Sequence, residues 1–249
     1  VIIEADEWVD LAIPGTTSLR VHLFRPAIGG TFPGVVLFSE IYQVTAPVRR
    51  LAAYVAGLGY TVAIPEVYHE YEPAGTVLRY DQAGTDRGNA LKTTKAVAAF
   101  DTDARAVLAF LKEHPACNGK LGTMGVCLGG HLAYRAALEP SVLAAACFYA
   151  TDIHSASLGA GMADDSLARI SELRAETLFV WGRQDPHVPF AGRQLIRERL
   201  EATGATYEWH EFNAAHAFMR DEGPRFDPAL FLQGMSLVQA LFARTLASS

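Results

Sequence analysis

The chain has 249 residues, 50% of them hydrophobic, which suits a single domain over residues 1–249 with a sizeable core and excludes a disordered chain. Its net charge of −6, from 21 basic and 27 acidic side chains, comes without a basic run, so nucleic acid is not an expected partner. No unbroken apolar stretch of about 18 residues reads as a membrane span.

Residues 8–13 and 19–24 alternate in polarity like an antiparallel strand pair, with Pro14-Gly15 as the turn. Residues 34–38 read as a buried strand. Over 46–58, Val48, Leu51, Ala52, Val55 and Leu58 recur at helical spacing, and Gly59 stops the helix. Residues 60–65 form another strand. The next 28 residues, 66–93, show little periodicity, and so long a loop in a compact domain is usually functional. A helix over 94–114 collects Val97, Phe100, Ala104, Val107, Leu108 and Leu111 on one face. Later strands fall at 121–124, 143–149, 177–181 and 207–212, with helices over 128–138, 189–203 and 228–246. Segment 151–169 reads as a flexible rim. The alternation predicts an α/β fold with a mostly parallel central sheet and helices on both faces.

One turn in this succession carries chemistry. Gly125-Val126-Cys127-Leu128-Gly129-Gly130 lies between a strand and a helix, the setting of a nucleophile elbow, with cysteine where serine is commoner. So tight a turn has no room for side chains two residues either side of the nucleophile, and Gly125 and Gly129 supply none. The positive end of the following helix favours the thiolate, the reactive form. An elbow enzyme needs an acid and then a base later in the chain. Asp185, in the loop after strand 177–181, and His216, in the loop after strand 207–212, occur in that order and at the same sheet edge. Asp185 can orient His216, and His216 can take the thiol proton.

These residues resemble the dienelactone hydrolase family of α/β-hydrolases. The resemblance rests on Ser39-Glu40-Ile41-Tyr42-Gln43, the cysteine elbow, Gly182-Arg183-Gln184-Asp185-Pro186 and His216-Ala217-Phe218-Met219-Arg220, and it spans about residues 18–246. It implies hydrolysis of a small carboxylate-bearing lactone or ester through a thioester, with no metal and no organic cofactor. It implies further that Glu40, which the residues alone would leave as a loop carboxylate, lies beside Cys127 and accepts its proton when substrate binds. Backbone N–H groups of Leu128 and Ile41 would form the oxyanion hole. Arg220 would hold the substrate carboxylate through two hydrogen bonds. Tyr42 and Ala217 would line the pocket. The family adds an arginine from the segment corresponding to 66–93; Arg79 and Arg87 both qualify, and Arg87 is preferred.

Cys117, Cys127 and Cys147 show no paired spacing, which fits a reducing, cytoplasmic setting. The eight histidines include no H-E-x-x-H pattern, and no C-x-x-C occurs, so no metal centre is expected. The acidic start lacks the basic region of a secretion signal, although a leader already removed fits a first residue that is not Met. The expectation is a cysteine-dependent ester or lactone hydrolase, a monomer or small homo-oligomer, acting on a small molecule. The rivals are a broad carboxylesterase or thioesterase with the same machinery and a non-catalytic small-ligand receptor on a hydrolase fold.

Overall fold

A computed structural model describes residues 2–247, so Val1 and the last two residues of the 1–249 span lie outside it. Eight strands form one sheet: β1 (Ile3–Leu11), β2 (Leu19–Pro26), β3 (Phe32–Phe38), β4 (Thr61–Pro65), β5 (Cys117–Val126), β6 (Val142–Phe148), β7 (Glu176–Gly182) and β8 (Tyr207–Phe212). Their spatial order is β1-β2-β4-β3-β5-β6-β7-β8. β1 pairs antiparallel with β2 and β2 with β4, and all later pairings are parallel. Among the described residues the six α-helices are α1 (Ala46–Gly57), α2 (Gln82–Thr94), α3 (Val97–Glu113), α4 (Leu128–Ala136), α5 (Phe190–Thr203) and α6 (Pro228–Leu246).

The two-residue period of a strand divides the core. Val36 and Phe38 face one layer with Phe100, Val107 and Leu111 of α3, Leu132 of α4 and Ile196 of α5. Val35 and Leu37 face the other, with Val48, Leu51 and Val55 of α1 and Val238, Leu241 and Phe242 of α6. Helices therefore cover both faces, and the central strands read as continuous apolar runs because neither face meets water. Burying one such Leu or Val side chain stabilises the fold by roughly 1.5–3 kcal/mol.

Helix α6 is 19 residues long and apolar enough in length and composition to cross a membrane, although charged and polar residues interrupt its apolar run. Its Met235, Val238, Leu241 and Phe242 are instead spent on the sheet, where α6 packs against β5, β6 and β7.

Segment 66–93 differs from its reading as one irregular excursion. Its second half is α2, capped by Asp81, whose carboxylate accepts the Gly84 N–H at 2.8 Å. The helix expected from residue 94 begins at Val97, because Lys95 and Ala96 are extended and break the chain between α2 and α3. An apolar stripe failed to announce α2 because its buried face is Gly84, Gly88 and Leu91. Gly88 is there for close approach: a Cβ on it would stand 2.6 Å from the Ile41 carbonyl oxygen.

Candidate active site

Four parallel strands bring the expected residues to one edge. Cys127 follows β5 directly, Glu40 lies two residues beyond β3, Asp185 three beyond β7, and His216 four beyond β8. At the elbow Cys127 has φ 59° and ψ −124°, a conformation costly for any residue with a Cβ. The turn is fixed from several sides: the Cys127 N–H donates to Phe148 O at 3.1 Å, and its carbonyl accepts from Gly130 at 3.0 Å and Thr151 at 3.3 Å. A Cβ on Gly125 would lie 1.9 Å from the Gly129 oxygen, and one on Gly129 would lie 2.1 Å from the Phe38 oxygen. Both are the small positions the sequence pattern required.

The His216 Nδ1 donates to Asp185 Oδ2 at 2.7 Å, with both side chains buried. The other Asp185 oxygen accepts the His187 N–H at 2.8 Å. Burial works against charge on His216, but the Cys127 sulfur and the Asp185 bond outweigh it and raise its pKa to about 10. Burial likewise opposes ionisation of Asp185, yet the bond and charge of His216 bring it below the usual carboxylate value. The three groups thus form one electrostatic unit, in which the sulfur and the carboxylate both favour the charged form of the imidazole.

Glu40 is buried, and its pKa is raised by burial against the opposing pull of Arg220, His216 and the Tyr80 hydrogen bond. The Tyr80 hydroxyl lies 3.1 Å from Glu40 Oε2, and Arg220 Nη1 lies 3.7 Å from the same oxygen. The Arg220 guanidinium sits over the Tyr80 ring at 4.3 Å and the Tyr42 ring at 6.0 Å. Leu128 is the first residue of α4, whose leading N–H groups have no acceptor within the helix. Among the described residues no backbone carbonyl takes the Ile41 N–H.

These groups surround a cleft of about 250 Å³ lined by Glu40, Ile41, Tyr42, Cys127, His216 and Arg220, among others. Two of the residues expected to contact substrate are not in it. Arg87 points away and binds Glu72 at 2.6 Å. The reason is helical geometry: Thr85, Asn89 and Lys92 of α2 line the cleft at i, i+4 and i+7, and a residue two past Thr85 lies on the opposite side. Arg79, the other possibility, is 89% exposed beside Asp81. Ala217, at φ 63°, is buried in the core layer of α1 and α6 rather than in the cleft, its backbone turning so that its neighbours His216 and Arg220 face inward.

Sequence reasoning did not single out Lys92, Asn89, Thr151, His187 or Arg225, which also line the cleft. A signal for the first two existed as a polar stripe, visible once 82–94 is a helix. Asp152, noted within segment 151–169, holds Lys92 through contacts of 2.9 and 3.0 Å. Away from the cleft, ligand-type atoms of His69, Glu70 and Asp103 lie within 4.8 Å of one another. Lys95 places its buried ammonium 2.5 Å from Glu70 and 2.6 Å from Asp103, so a side-chain cation already occupies that cluster.

A mostly parallel sheet with helices on both faces and a strained strand-to-helix turn at its carboxyl edge is the α/β-hydrolase arrangement. Residues 19–245 match the dienelactone hydrolase family. The chain is 43% identical over 241 residues to a Saccharomyces cerevisiae protein named "Putative carboxymethylenebutenolidase", covering 92% of this chain and 88% of that one. It is 30% identical over 204 residues to the "Carboxymethylenebutenolidase" of Pseudomonas putida, covering 80% and 82%. A crystal structure titled as a putative dienelactone hydrolase from Klebsiella pneumoniae superposes with a TM-score of 0.83, covering 98% of this chain and all of that one at 22% identity, a likeness of fold. The chain belongs to the dienelactone hydrolase family. It is a hydrolase, which sets aside the receptor reading.

Proposed function

We propose that the chain cleaves a small carboxylate-bearing lactone or ester through a thioester on Cys127. The observation that carries this reading is the 2.7 Å His216–Asp185 bond beside a cysteine held on a strained turn. Cys127 sulfur attacks the acyl carbonyl, forming the C–S bond as the ester C–O bond breaks. The leaving oxygen takes its proton from His216, which Asp185 keeps oriented. The Leu128 and Ile41 N–H groups hold the oxyanion, and water, deprotonated by His216, then releases the acid. Glu40 serves as a local proton acceptor for the thiol, a task its raised pKa suits. Arg220 receives the substrate carboxylate, with Tyr42 forming part of the wall.

The relatives named carboxymethylenebutenolidase support the lactone substrate class. Three unpaired cysteines support a reducing, cytoplasmic setting. We read residues 1–249 as one domain on the single sheet, working without a cofactor. The broad-esterase reading gains from one observation: Arg79 and Arg87 both lie outside the cleft, leaving fewer cations to read a carboxylate. A panel of lactones with a free carboxylate, their methyl esters and simple thioesters separates the two. A kcat/KM that favours the free carboxylate supports the lactone hydrolase. Equal values across the panel favour the broad esterase.

A further inference from the structure

We infer that Arg225 binds a second anionic group, so that the preferred substrate is a lactone or ester bearing two negative charges. This rests on the hydrolase reading above and narrows its substrate class.

The segment after β8 folds back on itself. The Arg220 N–H donates to Ala217 O at 3.1 Å, the Phe226 N–H to Gly223 O at 3.5 Å, and the Asp227 N–H to Phe218 O at 3.1 Å. This closure returns Arg225 to the cleft already lined by Arg220. The acidic residues on the same turn are engaged elsewhere: Asp221 takes contacts of 2.5 and 2.8 Å from Arg50, and Glu222 takes one of 2.8 Å. Among the described residues Arg225 has no hydrogen bond or ion pair, and it is exposed. Its charge is nevertheless felt both at Glu40 and at His187, which line the same cleft.

The other charges of the cleft have partners. Lys92 is held by Asp152, and His216 by Asp185. Arg220 faces Glu40 at 3.7 Å, beyond hydrogen-bond reach, so that carboxyl does not fully engage its guanidinium. Two arginines therefore face the cleft without full compensation, in a chain whose net charge is −6. A local positive field within an acidic protein concentrates anions at one place. Arg220 is the inner of the two, packed between Glu40 and Tyr80, and takes the group next to the scissile bond. Arg225, the exposed one, takes the distal group. Lys92 is the weaker candidate for that role because the same anion would have to displace Asp152.

The test uses the whole chain and 4-nitrophenyl monoesters of acetic, succinic and tricarballylic acid, which carry zero, one and two free carboxylates with one leaving group. The parent is expected to favour the tricarballylate ester over the succinate ester in kcat/KM. In Arg225→Gln that ratio is expected to fall about five- to tenfold, as for a partly hydrated charge pair, and Arg225→Lys to restore part of it. An unchanged ratio in Arg225→Gln overturns the inference. So does a loss shared equally by the succinate and tricarballylate esters, which marks general steering rather than recognition of a second charge. Turnover of the acetate ester by the parent shows that the hydrolase reading stands whatever the ratio does. No turnover of any ester overturns that reading and this inference together.

Discussion

Arg220 Nη1 lies 3.7 Å from Glu40 Oε2, close enough for the guanidinium to hold down a carboxyl that burial pushes up. An anion bound to Arg220 would cancel that pull and make Glu40 more basic as substrate arrives. Arg220→Ala is therefore expected to reduce kcat/KM for an anionic lactone by far more than for its methyl ester, with a cost of about 2–5 kcal/mol in the anionic case. Glu40→Gln is expected to show the same selectivity, because a neutral amide cannot take the thiol proton. Equal losses on charged and neutral substrates in steady-state kinetics would reject this coupling.

His216 and Asp185 are expected to act as one unit with Cys127. His216→Ala should lower kcat by several orders of magnitude, and Asp185→Asn by somewhat less, since an unpartnered imidazole still samples the working tautomer. Adding either change to Cys127→Ala should cost little more. An Asp185→Asn enzyme as fast as the parent would assign the orienting role to another carboxylate.

The pH dependence of stability follows from the same unit. His216 is raised in the folded state, so its contribution is fully present below the unfolded value of about 6.5 and is lost as pH rises through about 10. Asp185 is lowered, so its contribution is present above the unfolded value and is lost as pH falls through the folded one. Cys127→Ala removes the sulfur that helps to raise His216, and the alkaline loss should move to lower pH. Thermal melts of parent and variant from pH 6 to pH 10.5, about the window named, check this. Coincident curves would mean that sulfur and imidazole do not share charge.

Gly88→Ala tests whether α2 sets the loop carrying Ile41. The added methyl would meet the Ile41 carbonyl oxygen at 2.6 Å, and backbone on both sides resists it. The expected result is a stability loss of about 1–3 kcal/mol in urea, with a proportionally larger fall in kcat because the Ile41 N–H is displaced. A stable variant with normal kcat would separate α2 from the oxyanion site.

The sequence showed the layers of this fold because its central strands are apolar throughout and α1 and α3 carry regular apolar faces. It showed Cys127, Asp185 and His216 because each sits in a short loop just after a strand, where chain order alone fixes the sheet edge. Strand β1 starts at Ile3, earlier than the alternation predicted, since Arg25 pairs with Glu4 and Glu7 across its polar first half. Helix α2 was hidden because glycine packing leaves no apolar period. With α2 hidden, the direction of Arg87 could not be read, nor the stripe of Thr85, Asn89 and Lys92. Arg225 was invisible for another reason: only the fold-back of the chain from Phe218 to Asp227 brings it to the cleft.

The central claim is an acyl group carried on Cys127 sulfur. Acid quench during turnover of a slowly hydrolysed ester, followed by digestion and mass spectrometry, tests it most directly. The account predicts an added acyl mass on the peptide containing Cys127, lost on hydroxylamine treatment and absent, together with turnover, in Cys127→Ala. Undiminished turnover in Cys127→Ala, or an acyl mass confined to another residue, would contradict it.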